Sequence, residues 1–133
     1  GIRRGVTVTA ACSVSDNPPS LLVCLNSSNI NNEIFLKSGV FAVNSLADHH
    51  QDLAMGFAGL SGVAAEERFS SGHWQTLATG APVLSDAVVS FDCRLTDVRS
   101  ASTHFVLFGE VKAIHFGPAN PALLYLERGF HSL

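Results

Sequence analysis

The sequence predicts a mainly β fold with short helices, a small closed or split β-barrel, and three observations carry that prediction. Apolar, β-prone runs recur along the 133 residues, the last two of them long. Only two or three short segments have helical spacing. No Gly-x-Gly-x-x-Gly motif joins a strand to a helix, which argues against a doubly wound nucleotide-binding domain.

Gly5 to Ala11 reads as the first strand and Ser20 to Asn26 as its neighbour, both favoured by Val, Thr or Leu. Between them, Pro18 and Pro19 end the first ladder, because proline lacks a donor and fixes its φ. Residues 9–15 form a bend of small residues that offers backbone N–H groups and three hydroxyls, on Thr9, Ser13 and Ser15. Such a bend approaches a large flat ligand closely and donates to its phosphate or carbonyl oxygens. It equally suits a plain strand–turn–strand connection. Asn26 to Asn32, with four Asn and two Ser, suits a loop that caps a short helix at about Asn32–Lys37. Val40 to Leu46 is a third strand. Asp48 is expected to N-cap a helix from His49 to about Phe57, with Leu53, Ala54, Phe57 and Ala58 on one face. A helical turn follows near Ala64–Phe69. Ala87 to Val98 alternates apolar and polar residues and Thr103 to Phe116 does so less cleanly, so the two are expected to pair as long strands. Ala122 to Leu126 makes the last strand.

Residues 1–133 read as one domain, without repeat or linker. A hydrophobic share of 47% against 14% charged leaves apolar surface, which favours burial against a partner, most simply in a homodimer. A net charge of −3, with no basic cluster beyond Arg3-Arg4, argues against nucleic acid. No apolar run approaches the roughly 20 residues that span a bilayer, so no membrane association is expected. The chain opens almost directly on a strand, without a signal-peptide pattern. Cys12, Cys24 and Cys93 are odd in number and lack metal-ligand spacing. They read as buried free thiols of a cytoplasmic protein, and no metal is expected.

The run Thr7 to Ser15, with Ser13-Val14-Ser15-Asp16-Asn17-Pro18-Pro19, resembles the flavin-binding signature of the flavin reductase-like family. Ser38 to Leu46, Glu66 to Phe69, Trp74, Gly80 to Leu84, Ser102 to Val111 and Leu124 to His131 resemble its further blocks, in order along nearly the whole chain. Within the family the chain is similar to short reductase components of 4-hydroxyphenylacetate 3-monooxygenase type, and most similar to the branch that reduces cob(II)yrinic acid a,c-diamide. The resemblance implies a split barrel of FMN-binding type that dimerises and binds flavin at the subunit interface. It also implies NAD(P)H-dependent reduction of FMN, with FAD the other flavin to consider. The electron acceptor would be a partner oxygenase, supplied with reduced flavin, or a corrinoid. The alternative is a non-catalytic or truncated flavin-binding dimer. Family members carry a helix and a strand ahead of the segment that begins here, so the sequence reads as a fragment or as a barrel without that edge element.

Carried over residue by residue, the resemblance places Thr9, Ala10, Ala11, Cys12, Ser13, Val14 and Ser15 along the flavin ring and ribityl chain. Asn26, Ser27, Ser28 and Asn32 would lie nearer its phosphate, or else form a solvated turn. His104, Arg128, Phe130 and His131 would contact nicotinamide dinucleotide, with Arg128 on a pyrophosphate oxygen. His104, inside an apolar strand, equally suits a core position. No side chain is assigned acid–base chemistry, because positioning the two rings suffices. His49, His50, His73 and His115 read as surface or helix-start residues, and Glu66-Glu67 with Arg68 as a salt-bridged helix face.

Overall fold

Residues 3–133 are described by a computed structural model. The first strand, β1 (Ala11–Asp16), covers the segment expected to be a bend, and not Gly5 to Ala11. Small residues form this strand because β2 (Pro19–Asn26) supplies a ladder for them, with Ala11 opposite Val23 and Asp16 opposite Pro19. Pro19 therefore opens the second strand. The register slips between Ser13 and Ser15, a bulge of the kind common at sheet edges.

After a 3-10 turn at Ile30–Asn32 come α1 (Glu33–Ser38), which ends on a left-handed Gly39, and β3 (Val40–Ser45). A second 3-10 turn, Asp48–His50, leads into α2 (Gln51–Phe57). Asp48 does not cap this helix. The Ala47 N–H instead donates to His50 Nδ1 at 3.0 Å, which buries an imidazole expected at the surface. Ala54 and Phe57 are buried as predicted, whereas Ala58 is exposed. A third 3-10 segment spans Ala65–Ser70.

A short hairpin, β4 (Trp74–Gln75) with β5 (Val83–Leu84), was not expected. Asn44 fastens it to β3, donating to Pro82 O at 3.3 Å and accepting from Leu84 N–H at 2.9 Å. The long strands β6 (Val89–Ala101) and β7 (His104–Phe116) pair along their length. The chain ends in a second unexpected hairpin, β8 (Leu123–Leu126) with β9 (Gly129–Ser132). Glu127 and Arg128 form its turn at φ 52° and 62°, the conformation that two-residue hairpin loops need.

The main sheet has the order β1-β2-β7-β6-β3, and every pair is antiparallel. Its edges β1 and β3 do not pair, so the barrel is split, not closed. The core gathers Leu21, Val23 and Leu25 from β2 with Phe41, Cys93 and Leu107. Alternate β2 positions point inward because strand side chains have a period of two. Each such burial contributes about 1.5–3 kcal/mol. Gly109, opposite Leu21, leaves the space that the Phe41 ring fills. All three cysteines are free, but only Cys93 is buried; Cys12 is exposed on the edge strand and Cys24 half-buried. Among the described residues, no helix is long and apolar enough to cross a membrane.

Candidate functional site

One end of the sheet draws together segments far apart in sequence. Cys24 N–H donates to Ala10 O at 3.0 Å, so Thr9 to Ala11 lie beside the last residues of β2. Asn26 stands opposite His104 in the β2–β7 ladder, and Ser27 N–H donates to Thr103 O at 3.0 Å. The start of the bend, the Asn-rich loop and His104 therefore share this end, while Ser15, opposite Ser20, lies towards the other end of the ladder. His104 is not inside an apolar strand: it is the exposed first residue of β7, within 2.9 Å of the Thr103 hydroxyl. Residues 11–14 of β1 are exposed and Ser15 is half-buried.

The loop is built by its own side chains. Asn26 Oδ1 accepts from the Ser28 N–H (2.9 Å) and hydroxyl (2.7 Å), and Asn29 Oδ1 accepts from Asn31 N–H at 3.0 Å. Short Asx turns of this kind order a polar loop without a sheet partner. Asn32 is buried and donates from Nδ2 to Asn26 O at 3.0 Å, which closes the loop. Its Oδ1 accepts from Arg4, at 2.9 Å from Nη2 and 3.3 Å from Nε.

A cleft of about 440 Å³ opens beside this loop, and Arg4, Thr7, Asn26, Asn32, Phe57 and Arg68 are on its walls. The Thr7 hydroxyl donates to Ala54 O at 2.6 Å, which holds the entering chain against α2. Gly5 makes that approach close: a Cβ there would lie 2.6 Å from the Phe57 ring. Phe57, Phe69 and Trp74 form an edge-to-face cluster with centroids 4.9–5.7 Å apart, and Arg3 lies over Phe69 at 5.6 Å. Ser27, Ser28 and Thr9 to Ser15 do not line the cleft.

Arg4 and Arg68 were not singled out from the sequence, although Arg3-Arg4 was its only basic cluster. Arg68 does not pair with Glu66 or Glu67, contrary to expectation. The glutamates are exposed, and Arg68 Nε instead donates to Val63 O at 3.4 Å. Burial and the neighbouring Arg68 charge together lower the pKa of the Arg4 guanidinium from its ordinary value.

The remaining predicted residues lie elsewhere. Arg128, Phe130 and His131 are on the β8–β9 hairpin, where Phe130 packs edge-to-face on Tyr125 and His131 Nε2 is 3.2 Å from Leu126 O. That hairpin is fastened to the segment after β3: Leu123 N–H donates to Leu46 O, Asp48 N–H to Pro121 O, and the Ser132 hydroxyl to Asp48 Oδ2. It is a separate two-stranded sheet, held next to the end of β3, one edge of the main sheet, while β1, which carries the bend, is the other edge.

His49, His50 and Asp86 also converge, with Asp86 Oδ2 at 3.2 Å from both Nε2 atoms. Because His50 Nδ1 accepts from Ala47, its Nε2 carries the ring proton and donates to Asp86. The neutral ring then has no lone pair left for a cation, and the cluster serves to anchor the start of α2.

Residues 1–133 match the model of the flavin reductase like domain. An FMN reductase (NADH) RutF of Variovorax paradoxus is 48% identical over 131 residues, which are 98% of this chain and 72% of that protein. A Haemophilus somnus protein, solved as a candidate flavin reductase, is 43% identical with a TM-score of 0.90, covering 96% of this chain and 81% of its own. The flavin reductase PheA2 is 29% identical with a TM-score of 0.85, covering 96% and 79%.

Proposed function

This chain belongs to the flavin reductase-like domain family, and from that premise we propose that it is an NAD(P)H-dependent FMN reductase supplying reduced flavin to a partner oxygenase. One observation carries the assignment of the site: Thr9 to Ala11, where the Thr9–Ser15 segment begins, the Asn26–Asn32 loop and His104 meet at one end of the sheet. Exposed hydroxyls and backbone groups of an edge strand fit a flat, polar-rimmed ring, and a cationic cleft beside them fits the phosphate.

A flavin held along Thr9 to Ser15 would supply the hydride-accepting redox chemistry. The chain holds and orients. Thr9 to Ser15 support the ring and ribityl chain and leave one ring face open. Asn26, Ser27, Ser28 and Asn32 fix the phosphate side, with Asn32 held rigidly by Arg4 and the Asn26 carbonyl. His104, Arg128, Phe130 and His131 receive the nicotinamide dinucleotide. Alignment of two rings by binding supplies most of the acceleration such a reaction needs.

The hairpin and the bend lie at opposite edges of the sheet, which supports a homodimer in which one copy's hairpin approaches the other's bend. Exposed Val14, Tyr125 and Leu126 give both surfaces apolar area to bury. Residues 1–133 act as one domain, and its free thiols suit a reducing cytoplasm. The corrinoid acceptor rests on resemblance alone.

The test is NADH consumption by the purified protein with and without FMN. FMN-dependent turnover is expected. Tight FMN binding without turnover would replace the enzyme with a flavin-binding protein, and no flavin binding at all would remove the assignment. Ser13→Tyr, on the exposed edge strand, should abolish flavin retention while the fold persists.

A further inference from the structure

The segment assigned to the flavin starts on a stretch of chain that no ladder holds. Among the described residues, Arg3 to Val8 make no backbone–backbone hydrogen bond, and the first group to do so is Thr9 O. Where Thr9 and Ala10 stand is therefore set by the residues just before them. Val6 packs on the core, and the Thr7 hydroxyl donates to Ala54 O of α2 at 2.6 Å. Between Arg4 and Val6 the backbone of Gly5 runs against an aromatic wall. A Cβ at position 5 would lie 2.6 and 2.7 Å from Phe57 Cε1 and Cδ1, and 3.2 Å from Phe69 Cζ.

That wall has no room to yield. Phe57 is buried, and its ring meets Phe69 and Trp74 edge-to-face at 4.9 and 5.7 Å. Trp74 behind them is fixed in turn, because its Nε1 donates to Ser71 O at 2.7 Å. Packing of this density transmits strain and does not absorb it. A methyl group at position 5 is therefore answered by the chain, which retreats from 2.6 Å towards the 3.4 Å of ordinary contact. Thr9 lies only four residues on, so the retreat carries into the start of the bend.

We infer that Gly5 is a positioning residue for the flavin, with the Thr7 hydroxyl as its second anchor. Gly5 lines no part of the cleft beside the Asn-rich loop. It acts by seating the chain before β1 on α2, which sets where Thr9 to Ser15 meet the ligand. The inference rests on the flavin reading and adds to it a remote control: α2 and the Phe57–Phe69–Trp74 cluster govern flavin use from behind the site.

The experiment uses the full chain, with two readouts. One is kcat/KM for FMN in NADH oxidation, together with the Kd for FMN from quenching of flavin fluorescence. The other is the flavin-free emission of Trp74, the only tryptophan, which reports the ring cluster. Where alignment governs a reaction, a misplacement of about 1 Å costs up to about a hundredfold. Gly5→Ala should thus lower kcat/KM for FMN about tenfold or more and raise Kd, while Trp74 emission stays as in wild type. Phe57→Val removes both ring atoms nearest the new methyl group. Gly5→Ala combined with Phe57→Val should therefore lose little beyond Phe57→Val alone, a non-additive pair. Thr7→Val, which cannot donate, should cost about threefold to tenfold, and Thr7→Ser should restore the wild-type value; this pair keeps the test open if Gly5→Ala does not fold. Wild-type kinetics with shifted Trp74 emission in Gly5→Ala would mean that the rings yield and not the chain, and would overturn the inference. Additive losses in the Gly5–Phe57 cycle, or equal values for Thr7→Val and Thr7→Ser, would overturn it too and leave the flavin reading standing. A wild type that binds no FMN would overturn both.

Discussion

Asp92 lies fully buried on β6, opposite Ala42 of β3 and Ala113 of β7, and its carboxylate organises the link between β4 and β5. Oδ2 accepts from Ala78 N–H at 2.8 Å and Thr79 N–H at 2.9 Å, and Oδ1 accepts from the Thr79 hydroxyl. Asp92→Ala removes the only acceptor of two part-buried backbone donors and leaves a small void. Each orphaned donor costs about 1–3 kcal/mol, and escape of the loop towards water relieves part of it. The expected loss is about 2–4 kcal/mol, a large share of the 5–15 kcal/mol typical of a domain. Asp92→Asn behaves differently. Its amide oxygen still accepts both N–H groups and its amide nitrogen donates to Thr79 Oγ1, so only the charge is lost, at about 1 kcal/mol. Urea unfolding should lower the midpoint in that order without changing the slope. If alanine cost less than about 1 kcal/mol, or asparagine as much as alanine, the carboxylate would not be pinning this loop.

Burial alone would raise the Asp86 pKa, but hydrogen bonds from His49 and His50 outweigh it and lower it below the usual carboxylate value of 3.8. A depressed folded-state pKa adds stability above the unfolded value and loses it as pH falls. Thermal melts of wild type should thus fall below about pH 4 more steeply than those of Asp86→Asn; parallel curves would contradict this. Burial, reinforced by the Asp92 charge, pushes the Cys93 thiol up to about 12, so its stability contribution holds below about pH 9 and is lost as pH rises towards 12. Iodoacetamide at neutral pH should label exposed Cys12 in the native protein and spare Cys93, as mass spectrometry of the peptides would show. Gly109→Ala puts a Cβ 2.5 Å from Phe41 Cζ and 2.9 Å from Cys93 Cβ, so overpacking should cost about 1–3 kcal/mol in the same urea assay.

Much of the fold was legible because it is written in short-range periodicity. Leu21, Val23 and Leu25 alternate along β2, and the runs that became β6 and β7 are too long and too β-prone for other elements. The Asn-rich loop was legible for a similar reason, since its Asx turns are made by neighbours in sequence. Edge and end positions were not. Small residues such as Ala11 and Ser13 have little strand preference of their own, and only the ladder to β2 makes β1 a strand. The two hairpins missed are short and depend on docking, β4–β5 through Asn44 and β8–β9 through Leu46 and Asp48. Burial of His50 depends on Ala47 and Asp86, one adjacent and one distant.

The sequence alone determined the mainly β class, the order of the long strands and the family, because these reside in local pattern and in motifs kept at fixed spacing. Tertiary structure decided that β1 and β3 are the unpaired edges, that His104 joins the start of the bend while Arg128, Phe130 and His131 lie on a hairpin elsewhere, and that Arg4 meets Arg68 in one cleft. Those facts follow from how Gly5 lets the entering chain pack on Phe57 and from which strands find partners, and no local window of residues contains them.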